Sequence, residues 1–78
     1  MQNVTIYTTP NCSFCKTAKA FFKEHDIAYT EHNVADDREK AQEMIAVSGQ
    51  MGVPVIVIGK EVVIGFNEPR LRELLDVA

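Results

Sequence analysis

No tryptophan occurs in the chain, cysteine appears twice in 78 residues, and neither glycine (4) nor proline (3) is in excess. Two cysteines are too few for a secreted disulfide scaffold, and without a glycine, proline or charge bias no long disordered tail is expected. Basic residues are also scarce. Lys and Arg number 8 against 11 Asp and Glu, a net charge of -3, so a nucleic-acid partner is not expected, because phosphate binding normally leaves a basic surface. No apolar run approaches the roughly 20 residues that span a bilayer, so no membrane partner is expected either. Met1-Gln2-Asn3 runs into a strand pattern without a basic leader or an apolar signal segment, which predicts a cytoplasmic protein. What is present is 46% apolar residues, enough for one compact domain over residues 1–78.

The two cysteines lie together in Ile6-Tyr7-Thr8-Thr9-Pro10-Asn11-Cys12-Ser13-Phe14-Cys15-Lys16, where a strand-like run gives way to a helical pattern. A thiol attacks as its thiolate, and a helix N-terminus offers unpaired N–H groups and the positive end of the macrodipole to that charge. Cys12 is expected at the mouth of the helix, and Cys15 one turn deeper on the same face, within reach of its sulfur. In a reducing compartment such a pair is catalytic or metal-binding more often than structural.

Val4-Thr5-Ile6-Tyr7 reads as a first strand, ended by Thr8-Thr9-Pro10-Asn11. Phe14, Ala18, Phe21 and Phe22 fall at i, i+4, i+7 and i+8 and line one face of a helix ending near His25-Asp26. Ile27 through Val34 reads as a polar edge strand. Asp36 and Glu39 suggest a capping box before a second helix carrying Ala41, Met44, Ile45 and Ser48, stopped by Gly49. Its charges Arg38, Glu39, Lys40 and Glu43 read as a solvated face. Val53 through Ile58, entered at Pro54, is the most apolar run and predicts a buried strand. Gly59-Lys60 fits a type II′ turn into Glu61-Val62-Val63-Ile64. After Gly65-Phe66, Asn67 is placed to cap a last helix with Pro69 in its first turn and a stripe of Leu71, Leu74 and Leu75.

The order is strand, helix, strand, helix, strand, strand, helix. A right-handed βαβ unit followed by a hairpin predicts an α/β fold with a four-strand mixed sheet flanked by three helices. A C-x-x-C near a βαβ pattern points to a thioredoxin-like redox motif.

Three motifs, Tyr7-Thr8-x-x-x-Cys12-Ser13-Phe14-Cys15, Gly52-Val53-Pro54-Val55 and Ile64-Gly65-Phe66 leading to Leu71, make the chain resemble the glutaredoxin family along essentially its whole length, and its small glutaredoxin-like redoxins in particular. The resemblance implies a thioredoxin fold and a dithiol-disulfide oxidoreductase or electron carrier, with Cys12 as nucleophile and Cys15 as resolving thiol. It implies a cis bond before Pro54, with the backbone of Val53 left to pair with an extended substrate. Tyr7, Ser13, Phe14, Val53, Pro54, Gly65, Phe66 and Asn67 are the candidate substrate-binding residues. The implied partners are a disulfide-containing protein and a reductant, acting on a monomer without a resident cofactor.

The chain departs from the family pattern in three places. Ser13-Phe14 stands where dithiol glutaredoxins have Pro-Tyr, which frees a backbone N–H and adds a hydroxyl beside Cys12. Phe66-Asn67-Glu68 follows Gly65 where glutathione-using members carry a second glycine and acidic residues. Thr8 and Thr9 stand where a basic residue is common. These departures lean away from glutathione, and Gly65-Phe66 before the last helix resembles the pattern of redoxins reduced by thioredoxin reductase, which implies that reductase as the electron donor. The alternatives are a glutathione-dependent glutaredoxin and an iron-sulfur cluster module bridging two protomers. Zinc would need His25 and His32 to join the cysteines, and their spacing matches no finger pattern, so no metal site is expected within the chain.

Overall fold

The computed structural model of the protein describes residues 3–76; the expectation drawn from Met1 and Gln2 lies outside them. The elements follow the expected order: β1 (Val4–Thr8), α1 (Ser13–Glu24), β2 (Thr30–Asn33), α2 (Arg38–Ser48), β3 (Val55–Ile58), β4 (Glu61–Ile64) and α3 (Glu68–Leu75). The sheet order is β2-β1-β3-β4. β1 runs parallel to β2, with Tyr7 opposite His32, and antiparallel to β3, with Tyr7 opposite Val55. β3 and β4 form the predicted hairpin, in which Ile58 faces Glu61 across Gly59-Lys60. Gly59 sits at φ 59°, the sign a type II′ turn demands at its first central position.

Strand alternation divides the core into two layers. On one face Val4, Ile6, Ile56, Ile58 and Val63 meet Ala18, Phe21 and Phe22 of α1 and Leu71 of α3. On the other, Tyr7 and Val55 meet Met44 of α2. The sheet is therefore sandwiched, and β1 carries the chain from the middle of that sheet directly into the cysteine segment.

Two boundaries differ from the sequence reading. The second strand is Thr30–Asn33 and not Ile27–Val34. The Ile27 amide donates to Phe22 O at 2.8 Å and Asp26 takes a left-handed conformation at φ 55°, so these residues close α1 in a Schellman-type turn. Ile27 and Tyr29 are apolar because they pack on the core, not because they pair in the sheet. At the other end Asn33 Oδ1 accepts the Ala35 amide and turns the chain away. The cap of α2 is Asp37, not Asp36: the amides of both donate to Asn33 O, which keeps Asp36 in the turn, and Asp37 Oδ1 accepts Lys40 N at 3.1 Å. Asp37→Ala is expected to cost about 1 kcal/mol in urea unfolding, and Asp36→Ala a few tenths; equal losses contradict this cap. The end of α2 is as predicted, with Gly49 at φ 74° donating to Ile45 O.

A candidate dithiol site at the start of the first helix

Cys12 is the N-cap of α1. Its backbone is extended (φ -102°, ψ 111°), its carbonyl accepts Lys16 N, and its Sγ accepts the backbone N–H of Cys15 at 3.1 Å. A sulfur thus takes the place that a serine or aspartate oxygen fills in an ordinary cap, beside the positive end of the helix. Cys12 is half-buried, whereas Cys15, one turn on, is 1% exposed. Both are free thiols. The two sulfurs are close enough to interact: burial first, then the hydrogen bond with Cys12, pushes the Cys15 thiol from 9.0 up to about 12, while the Thr9 backbone and the Lys19 charge pull the other way. The arrangement separates the pair chemically into an outer sulfur that a substrate can meet and an inner one held protonated.

Of the other candidates, Ser13 and Phe14 form the exposed first turn of α1, with the Phe14 ring 64% exposed. Val53 is half-buried and Pro54 is buried, joined by a cis peptide. The Gly65 amide donates to Pro54 O at 2.9 Å, with Gly65 at φ 77°, so the structure brings those two motifs together. Asn67 caps α3, its Oδ1 accepting Arg70 N. Phe66 packs edge-on against Phe21, ring centroids 5.9 Å apart, which commits its ring to the layer between the sheet and α1.

Tyr7 packs in the core. It is 3% exposed, packed with Met44 and Val55, and its hydroxyl donates to Glu43 Oε1 at 2.6 Å. The physical reason is strand alternation: Tyr7 points to the face that α2 covers, while the cysteine-bearing helix covers the other. Glu43 is exposed, as a solvated face requires, and in addition anchors the buried Tyr7 hydroxyl. Its carboxyl is held below the usual carboxylate range by the Tyr7 hydroxyl and then Lys40. Burial, followed by Glu43, pushes the Tyr7 phenol from 10.0 up to about 12.

Cys15 and Tyr7 are both acids that hold their proton more tightly folded than unfolded. The stability this contributes is whole below the unfolded values and is lost as pH rises through the folded ones. The melting temperature is therefore expected to fall between pH 9.0 and about 12, and Tyr7→Phe to flatten the upper part of the fall. A melting point unchanged across that window contradicts both assignments.

Among the described residues, no group of three or more His, Cys, Asp or Glu could hold a metal ion, and no helix is long and apolar enough to cross a membrane. His25 lies at the far end of α1 against Phe21, and His32 lies on β2, 5.5 Å from the Tyr7 ring. A groove of about 990 Å³ opens between the start of β1, the α1–β2 connection and the end of α3, away from the dithiol. Sequence reading gave no role to Lys19 and Glu31 and placed Glu43 only on a solvated face; tertiary pairing alone joins Lys19 to Glu31 and Glu43 to Tyr7.

A four-strand mixed sheet, three helices and a C-x-x-C capping the first helix define a redox protein of the thioredoxin superfamily. The glutaredoxin profile matches residues 4–63, and the chain belongs to the glutaredoxin family. It is 40% identical over 73 residues to a glutaredoxin-like 8.6 kDa protein encoded in a rubredoxin operon of Clostridium pasteurianum, covering 94% of this chain and 97% of that one. Among solved structures it is similar to a mutant of the thioredoxin-like protein BC3987, with 31% identity, a TM-score of 0.93 and full coverage of both chains. It is also similar to the glutaredoxin-like NrdH-redoxin of Escherichia coli, which has a thioredoxin-like activity profile: 26% identity, TM-score 0.84, covering 92% of this chain and 93% of that one.

Proposed function

We propose that the protein is a dithiol-disulfide oxidoreductase that reduces protein disulfides, with Cys12 as nucleophile and Cys15 as resolving thiol. The observation that carries this reading is the cap itself: Cys12 Sγ accepts the Cys15 amide at 3.1 Å, with the Cys15 side chain 1% exposed behind it. An N–H aimed at a sulfur stabilises it most when the sulfur is an anion. In the proposed cycle the Cys12 thiolate attacks a substrate disulfide. A Cys12–substrate disulfide forms and the first substrate sulfur leaves with the electron pair. Cys15 then displaces the second substrate sulfur, leaving a Cys12–Cys15 disulfide for an external reductant to open. Ser13 and the exposed Phe14 border the attacking sulfur, and Val53, beside Pro54, offers backbone groups to an extended substrate segment. Cytoplasmic location and a monomeric state belong to the same proposal.

The reductant proposed is thioredoxin reductase in preference to glutathione. Three features after Gly65 support this. Phe66 stands in place of a second glycine, and the Asn67 amide is occupied in capping α3. The next carboxylate, Glu68, is held 2.7 Å from Arg72 on its own helix, so the first acid after Gly65 is already paired and is not free to receive the ammonium of the tripeptide. The thioredoxin-like activity profile of the E. coli NrdH-redoxin points the same way. Oxidised protein supplied with NADPH and thioredoxin reductase is expected to consume NADPH repeatedly once a disulfide substrate is added. With glutathione and its reductase consumption is expected to be at least roughly tenfold slower, a difference of about 1.4 kcal/mol in the rate-limiting step. Turnover with glutathione alone overturns the choice of donor but leaves the dithiol cycle standing.

A further inference from the structure

Cys15 has to become an anion inside the protein when it attacks, and burial works against that charge. One turn along α1, on the same helical face, stands Lys19. Its Nζ lies 2.9 Å from Glu31 Oε2 on β2, and the same oxygen accepts the hydroxyl of Thr8 at 2.7 Å. Thr8 is 2% exposed and ends β1, directly before Thr9, whose backbone hydrogen-bonds the Cys15 thiol. Three elements therefore meet at the Glu31 carboxylate, which takes the Thr8 hydroxyl of β1 and the Lys19 ammonium of α1; the Lys19 side chain is 28% exposed, in contrast to the exposed Lys16 and Lys23 of the same helix. A free surface lysine is screened and swings away; this one is pinned. Lys19 follows Cys15 by four residues within α1, the spacing that stacks two side chains on one helical face.

We propose that Lys19, held in place by Glu31 and Thr8, is a positioning residue for the resolving step: its ammonium stabilises the Cys15 thiolate as it attacks the Cys12–substrate disulfide. In that step the Cys15 S–H bond breaks, the Cys15–Cys12 bond forms and the Cys12–substrate bond breaks. The substrate sulfur leaves with the electron pair and ends with the proton that Cys15 gave up. The charged and titratable groups facing this chemistry are Cys12 and Lys19 at Cys15, Glu31 and Tyr29 at Lys19, and Lys23 at Glu31. Glu31, held below the ordinary carboxylate range by Thr8 and then Lys19, stays anionic and fixes the ammonium without taking the proton. The inference rests on the assignment of Cys15 as the resolving thiol.

The test is a single-turnover reaction of the reduced full chain with an aromatic disulfide whose released thiolate absorbs visible light. Attack by Cys12 and resolution by Cys15 each release one equivalent. Lys19→Gln is expected to leave the first phase unchanged and to slow the second by about twofold or more near neutral pH, less than the roughly tenfold thiolate loss of one full pKa unit. The deficit is expected to close as pH rises and Cys15 ionises unaided. Lys19→Arg, which keeps the charge, is expected to retain the fast second phase. Glu31→Gln, which unpins the ammonium without removing it, is expected to slow that phase by a smaller factor. A second phase in Lys19→Gln equal to the native rate at every pH overturns the proposal, as does equal slowing in Lys19→Gln and Lys19→Arg. A native protein with no second phase instead overturns the dithiol cycle, and the role of Lys19 falls with it.

Discussion

Cys12→Ser is expected to abolish disulfide reduction, and Cys15→Ser to leave the protein covalently joined to its substrate. The two losses differ in kind because the two sulfurs differ in position. Cys12 caps α1, half-buried, with the Cys15 amide 3.1 Å from its sulfur, so it can meet a substrate with a helix N–H aimed at the reacting atom. A serine hydroxyl in the same cap keeps the hydrogen bond but not the nucleophile, since an alcohol without a base does not open a disulfide. Turnover should fall by several orders of magnitude while folding is kept. In Cys15→Ser the first attack proceeds and the second has no thiol to make it. Non-reducing electrophoresis with a disulfide substrate is expected to show a stable adduct for Cys15→Ser and none for Cys12→Ser. Full turnover by the Cys12 variant contradicts the assignment.

Phe22→Ala is expected to produce the largest loss of stability among core truncations. Phe22 is fully buried, packed among the β1 and β3 residues of the larger layer, with its ring 5.3 Å from that of Tyr29 and 6.0 Å from that of Phe21. Truncating a buried phenylalanine costs about 3–5 kcal/mol from lost transfer energy and the cavity left behind. A chain of 78 residues has roughly 4–12 kcal/mol in all, at roughly 0.05–0.15 per residue. Each kcal/mol moves Tm by roughly 4–8 °C in a domain of this size, so a fall of at least roughly 12 °C is expected in calorimetry. Phe14→Ala is the contrast. Its ring is 64% exposed, and surface changes of this kind stay within about 0.5 kcal/mol. Equal losses at the two positions would contradict the core described above.

Local chemistry made much of this legible. The passage from β-branched residues to a C-x-x-C and a 3.6-residue apolar period located the helix start; Gly59-Lys60 gave the hairpin; Asn67 and Pro69 gave the start of α3. Where one residue serves two purposes, sequence misleads. Ile27 and Tyr29 look like strand residues because they are apolar, yet one closes a helix with its amide and both pack on the core. Asp36 reads as the cap because Glu39 stands three residues on, yet the turn at Asn33 hands that place to Asp37. The cis bond before Pro54 was implied by the family resemblance, since most X-Pro bonds are trans. Contacts made across the fold were not legible at all. Tyr7 and Glu43 are 36 positions apart and Lys19 and Glu31 are 12 apart; the first pair depends on which face α2 covers and the second on the parallel register of β1 and β2.

The proposed cycle requires the outer sulfur, and not the inner one, to be available to react. Its most direct test is brief alkylation of the reduced native protein near neutral pH, with the modified residues mapped by peptide mass spectrometry. Label is expected at Cys12 well before any appears at Cys15, whose side chain is 1% exposed and whose thiol is pushed up to about 12. Equal labelling of both, or Cys15 reacting first, would contradict the account.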